Sequence, residues 1–188
     1  MRVAVIAALI IALAGCQSVP PLSSTSGRSP NALTSWNLDG RLGYRANDDG
    51  GSASVSWQQR VEHGEMALSG PLGMGSARIR WSPGHAELDT GKETVTADNA
   101  QALAWRLTGL QLPVEALQYW VRGLPSPHNK ASPTFGEFGE LTALDQAGWQ
   151  LTFDRYAAID GLRLPFRIRA HHADQRFTLI IKEWEPLP

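Results

Sequence analysis

The sequence predicts a mainly β fold with a helical lid, of the α+β class, and three observations carry that reading. Apolar and polar residues alternate with period two in about ten separate runs. Clusters of Gly, Asn, Asp, Ser and Pro separate those runs as turns would. Only the middle of the chain changes to apolar spacings of three and four, the mark of helix.

Taken in order, Trp36, Leu38, Leu42 and Tyr44 fall on one side of a strand, with Asn37, Asp39, Arg41 and Arg45 on the other. Asn47-Asp48-Asp49-Gly50-Gly51 supplies residues that tolerate positive φ and leads into Ala53, Val55 and Trp57, alternating with Ser54, Ser56 and Gln58. These two runs read as a hairpin. Met66/Leu68 and Ala77/Ile79/Trp81 follow, the latter opposite Arg78 and Arg80, and then weaker strands at 86–88 and 94–96. Asp98 is placed to cap a helix containing Leu103, Ala104 and Leu107, and Gly109 stops it. Pro113 suits the first turn of a second helix with Val114, Leu117, Trp120 and Val121, ended by Gly123. Residues 124–133, with their Pro and Ser, read as a loop. Four more strands come at 141–144, Trp149/Leu151/Phe153, Phe166/Ile168/Ala170 and Phe177/Leu179/Ile181.

Composition narrows the function. The 188 residues suffice for one domain with a core, and 43 % hydrophobic with 19 % charged residues is ordinary for a globular chain. A formal net charge of −1 removes the bulk electrostatic case for nucleic acid, and a single cysteine excludes a disulfide framework. No pair among His63, His85, His128, His171 and His172 has the helical spacing of a zinc site. Gly73-Met74-Gly75 lacks the third glycine of a dinucleotide fingerprint, and Gly91-Lys92-Glu93 lacks the Ser or Thr of a P-loop. Glu137 and Glu140 sit in a Gly-rich segment and read as a solvated turn rather than as paired glycosidase carboxylates. We therefore expect no catalytic residue, no metal, no cofactor and no enzyme.

The N-terminus points to export. Arg2 precedes an apolar run at 3–13, too short to span a bilayer but suited to the core of a signal peptide. The run closes with Leu13-Ala14-Gly15-Cys16, which resembles a bacterial lipobox, so residues 1–15 are expected to be removed and Cys16 to carry lipid. Removing Arg2 leaves 16 basic against 18 acidic residues, a side-chain charge of −2. Residues 16–34 read as a lipidated start and a flexible linker with a reach of roughly 23 Å. Residues 35–188 then form the folded domain. Gln17 after the cysteine, by the rule for such lipoproteins, implies sorting to the outer membrane, facing the periplasm.

A sheet of about ten strands with only two short helices to cover it has apolar inner face to spare, and the excess would line a cavity. Candidates for that lining are Trp57, Met66, Leu68, Ile79, Trp81, Trp149, Leu151 and Phe153 on strands, with Leu103, Leu107, Leu117 and Trp120 on helices. Periodicity alone selects the same residues for a packed core.

The lipobox, Gly40-Arg41-Leu42, Trp57-Gln58, Leu68-Ser69-Gly70-Pro71-Leu72-Gly73, Thr108-Gly109-Leu110-Gln111-Leu112-Pro113-Val114, Tyr119-Trp120-Val121-Arg122-Gly123-Leu124-Pro125, Gly148-Trp149 and Trp184 occur in this order. This series resembles the LolB family of outer-membrane lipoprotein receptors. The resemblance implies an unclosed antiparallel β-barrel of about ten to eleven strands enclosing a hydrophobic cavity. It further implies a monomer that accepts acylated lipoproteins from the periplasmic carrier LolA and inserts them into the inner leaflet of the outer membrane. Leu72, in a loop of glycines and proline, is the residue that the resemblance assigns to membrane insertion. A structural lipoprotein that scaffolds an envelope assembly complex is the rival reading.

Overall fold

The computed structural model describes residues 28–70 and 75–188. The expected signal peptide, Cys16, most of the linker and Leu72 lie outside the described residues. The strands are β1 (Ser35–Ala46), β2 (Asp49–Arg60), β3 (His63–Ser69), β4 (Ser76–Ser82), β5 (His85–Asp89), β6 (Thr94–Ala97), β7 (Ala131–Phe135), β8 (Leu141–Gln146), β9 (Trp149–Asp154), β10 (Ala157–Ile159), β11 (Leu162–Leu164), β12 (Arg167–His172) and β13 (Gln175–Pro186). Helices α1 (Ala100–Thr108) and α2 (Val114–Trp120) lie between β6 and β7.

Eleven strands form one antiparallel sheet in the order β6-β5-β4-β3-β2-β1-β13-β12-β9-β8-β7, while β10 and β11 make a separate hairpin. The two edge strands, β6 and β7, do not pair, so the sheet is an unclosed barrel. Its centre is the long register of β1 against β2 on one side and β13 on the other. The register of β1 with β13 shifts between Asp39 and Gly40. A Cβ on Gly40 would come within 2.5 Å of the Ile180 carbonyl oxygen, so only glycine fits where the strands are pressed together at this bulge.

Three differences from the sequence reading have local causes. β7 occupies part of the segment read as loop; as an edge strand it tolerates Pro133, whose missing N–H breaks no inner ladder. β10 and β11 have three residues each, too short for period two to show. The cap of α1 is Asn99, not Asp98: its side chain accepts a hydrogen bond from the Ala102 N–H at 3.0 Å. Gly109 does end α1, in the left-handed region at φ 69°. At the N-terminal side, Pro30–Ala32 form a 3-10 turn and Leu33 is buried, so folded structure reaches back into the segment expected to be linker.

The concave face holds the core. Four tryptophans meet edge to face across the middle of the sheet: Trp36 lies 4.9 Å from Trp57 and 5.2 Å from Trp184, and Trp57 lies 5.9 Å from Trp81. Their indole N–H groups need partners when buried. Trp57 donates to Gln59 at 3.2 Å, and Trp184 donates to the Pro165 carbonyl at 3.2 Å. On the other flank the buried Gln146 side chain accepts from Trp120 Nε1 and the Ser126 N–H and donates to the carbonyls of Ser126 and Asn129, each at 2.8 Å. Gln146 thereby ties the chain after α2 to strand β8. Gln146→Ala strands those partners without their bonds; we expect a loss of about 2–4 kcal/mol, read as a lowered urea midpoint with unchanged slope.

Candidate functional site

Beneath the two helices the concave face leaves a small cavity of about 50 Å³. Leu42, Val55, Trp57, Met66, Ile79, Trp81, Phe177 and Leu179 line it from the sheet, and Ala100, Ala104, Leu112, Val114 and Leu117 from α1, α2 and the link between them. Every lining residue is apolar. This space would hold a few water molecules at most, far below the 300–1,000 Å³ of usual ligand sites, so the cavity as it stands has no room for an acyl chain.

Two openings flank it. On one side a groove of about 670 Å³ runs between α2 and the β2–β3 and β4–β5 turns, with Gln59, Glu62, Glu115, Gln118 and Arg122 along it. Trp81, Ala100 and Val114 line both this groove and the cavity and so form the wall between them. On the other side an open groove of about 530 Å³ is lined by Leu42, Tyr44, Ala53, Leu68, Ala77 and Leu107 and reaches Gly70 and Gly75. The Gly70 N–H donates to the Gly75 carbonyl at 2.9 Å, closing the neck of the loop that contains Leu72. Leu42 borders both the cavity and this second groove.

The helices are held unequally. After α2, the buried Arg122 donates from Nε to the Gln118 carbonyl at 2.9 Å and from Nη1 to the Leu33 carbonyl at 2.6 Å, with its guanidinium over the Tyr119 ring. No carboxylate among the described residues pairs with it, and burial pulls its pKa below the ordinary arginine value. Nearby, burial pushes the Tyr156 hydroxyl far above its usual range, and it donates to the Leu141 carbonyl at 2.7 Å. Helix α1, by contrast, rests Leu103 and Ala104 among Ile79, Ala86 and Leu88 and adds one exposed ion pair, Arg106 to Glu93 at 3.2 Å. Such exposed pairs contribute little. The lid is therefore held by directional hydrogen bonds at α2 and by apolar contact at α1.

The structure sorts the sequence candidates. Trp57, Met66, Ile79, Trp81 and Leu117 border the cavity. Leu68 and Leu107 border the open groove, and Leu103 seats α1 on the sheet. Trp120, Trp149, Leu151 and Phe153 lie in the packed half of the barrel, where Trp149 donates to the Gln111 carbonyl at 3.3 Å. Sequence reasoning left out Leu42, Val55, Phe177 and Leu179 as lining, although their alternation marked the inward face; the small residues Ala100 and Ala104 carried no signal of their own. Glu140 accepts from the Phe138 N–H at 3.1 Å within its turn and pairs with Arg163. Among the described residues, no three His, Cys, Asp or Glu side chains come together as metal ligands.

Fold and site define a lid-covered half-barrel built around an apolar cavity. Known proteins agree on the fold: a LolA superfamily protein from Nitrosomonas europaea aligns with a TM-score of 0.55 at 7 % identity, over 84 % of this chain and 88 % of that one. Residues 34–184 match the family described as outer membrane lipoprotein LolB. The outer-membrane lipoprotein LolB of Pseudomonas fluorescens (strain Pf0-1) is 37 % identical over 99 % of this chain and 97 % of its own. That of Stutzerimonas stutzeri (strain A1501) is 36 % identical over 95 % and 92 %. The chain belongs to the LolB family of outer-membrane lipoproteins, which are not enzymes.

Gly64 explains how Trp81 forms the wall. The two residues face each other across β3 and β4, and a Cβ on Gly64 would fall 2.0 Å from the Trp81 ring. Gly64→Ala should push Trp81 out of the wall at a cost of about 1–3 kcal/mol, seen as red-shifted indole emission and stronger binding of an apolar dye.

Proposed function

We propose that this protein is the outer-membrane receptor for lipoproteins, taking their acyl chains from the periplasmic carrier LolA into the cavity and releasing them into the inner leaflet. The observation that supports it is a wholly apolar cavity under a helix held mainly by apolar contact. An acyl chain exposed to water costs on the order of 10 kcal/mol at about 0.8 kcal/mol per CH₂, so transfer between membranes needs an apolar shelter throughout. Helix α1 lifts to admit the chain, which replaces the contacts that the helix's Ala100 and Ala104 face makes with Ile79 and Trp81.

Transfer needs no nucleotide. Each tenfold preference for receptor over carrier corresponds to about 1.4 kcal/mol, within reach of a few buried methylenes. Cys16 serves as lipid anchor and leaves the domain free to turn; Leu72, between Gly70 and Gly75 in the sequence, enters the bilayer during release. One leucine buried in lipid contributes about 1.5–3 kcal/mol, enough to hold a cavity mouth at the surface without anchoring the protein.

A lipoprotein with a spin-labelled acyl chain should quench Trp57 and Trp81 while leaving single-tryptophan versions that retain Trp120 or Trp149 unaffected. Ala104→Phe, which fills the cavity, should lower acceptance from loaded LolA several-fold with little change in thermal midpoint. Unchanged acceptance would place the acyl chain elsewhere.

Two variants separate the remaining steps. Cys16→Ala behind a cleavable secretion signal should yield a soluble domain that still accepts cargo. Leu72→Asn should accept cargo normally and deliver it slowly to outer-membrane vesicles, and loss of acceptance instead would assign Leu72 to the core.

A further inference from the structure

The convex face, which plays no part in the cavity, carries a charge pattern that the sheet register makes explicit. Arg45 on β1 lies opposite Arg176 on β13, which lies opposite His171 on β12. Four residues along the strands, Arg41 and Arg167 flank the exposed Ile180, and Arg169 lies opposite Thr178 between the two rows. Like charges directly across a ladder destabilise a sheet, so this row works against folding. Asp154 is the one carboxylate on β9 beside them, and it is already taken by Arg167 at 2.8 Å and Arg169 at 3.0 Å. Arg41, Arg45 and Arg176 pair with no carboxylate among the described residues. Asp48 and Asp174 stand at the adjoining turns, in a cleft of about 520 Å³ shared with Arg45, His171 and Arg176.

Toward the other end of the same two central strands carboxylates predominate, Asp39, Glu183 and Glu185 against the exposed Lys182. Asp39 lies opposite Glu183, and Glu185 accepts from Asn37 Nδ2 there. The register also says which end is which. Ser54, opposite Arg41, pairs with Ser69, from which the chain enters the 70–75 loop. The basic half therefore sits at the loop end of the barrel and the acidic half away from it, in a chain whose formal net charge is only −1.

We propose that the basic row is a docking surface for the anionic headgroups of the membrane, and that this charge dipole turns the loop end toward the bilayer. The occupant follows from the chemistry. All five cations are arginines, whose planar forks match phosphate oxygens in pairs, and the exposed Ile180 among them suits an interface with lipid better than bulk water. A family of outer-membrane lipoproteins keeps such a surface permanently beside the domain. Each basic residue near an anionic surface shifts the population by about fivefold, and salt screens it within about 8–10 Å. The inference deepens the receptor reading, since an oriented loop end presents the open groove to the bilayer.

The test uses the full-length lipidated protein in vesicles. Its single native cysteine is the expected lipid anchor, so one added cysteine takes a unique fluorophore. Asp48→Cys labels the loop end and Glu62→Cys the opposite turn, each removing one negative charge. With a headgroup-labelled lipid as acceptor, adding phosphatidylglycerol to phosphatidylcholine vesicles should raise energy transfer from the Asp48 label and lower it from the Glu62 label. High salt, or Arg45→Gln with Arg176→Gln, should abolish the difference, and the double variant, relieved of the opposed charges, should have equal or higher thermal stability. Transfer that ignores the anionic lipid, or survives the double variant, would overturn the proposal and leave the row to an acidic protein partner. Acyl acceptance, read separately by tryptophan quenching, would fail only if the cavity reading itself were wrong.

Discussion

A sheet whose two edges never meet exposes a concave apolar face that must be covered, and this constraint governs the rest of the molecule. Closing the barrel would hide the face but also remove the entrance. Leaving it open requires a lid, and two helices of nine and seven residues are too short to seal it alone. The tryptophan row takes up the difference. Its rings fill the concavity from Trp184 to Trp81 and leave one small gap where α1 and α2 meet the sheet.

The lid's two helices then divide the labour. Buried polar groups hold α2 and the segment after it: Arg122 on the Leu33 and Gln118 carbonyls, and Gln146 on Trp120, Ser126 and Asn129. Directional bonds in an apolar surrounding are costly to break, so this side is fixed. Apolar contacts under α1 have no preferred direction and can be exchanged for contacts with an acyl chain at little net cost. A container that must open repeatedly needs one side of each kind.

The motifs that carry the family resemblance acquire physical reasons in the fold. Gly40 is required where β1 presses against the Ile180 carbonyl, and Gly123, at φ 73°, leaves room for the Tyr156 hydroxyl that a Cβ would meet at 2.7 Å. Arg122, in the same run, is a buried clamp that uses backbone carbonyls where a carboxylate partner would be expected. Of the convex arginines only Arg41 falls in these motifs, in Gly40-Arg41-Leu42; the other four are visible only as alternate residues on three strands until the register sets them side by side.

Period two determined most of the sheet, and spacings of three and four with turn chemistry determined both helices, because local spacing alone decides which face of an element is apolar. The same periodicity could not tell lining from core. Trp149 and Trp81 alternate alike, yet one is packed against Phe177 and the other walls a cavity, since that depends on which strand lies opposite and where the helices land. Edge strand β7 escaped for a related reason: its Pro133 is allowed only because nothing pairs beyond it, a fact of sheet order. The cavity's small size, the different contacts that hold the two lid helices and the polarity of the convex face all arise from contacts between residues far apart in sequence. Tertiary structure alone decided them, because no local pattern records which distant neighbour a side chain will meet.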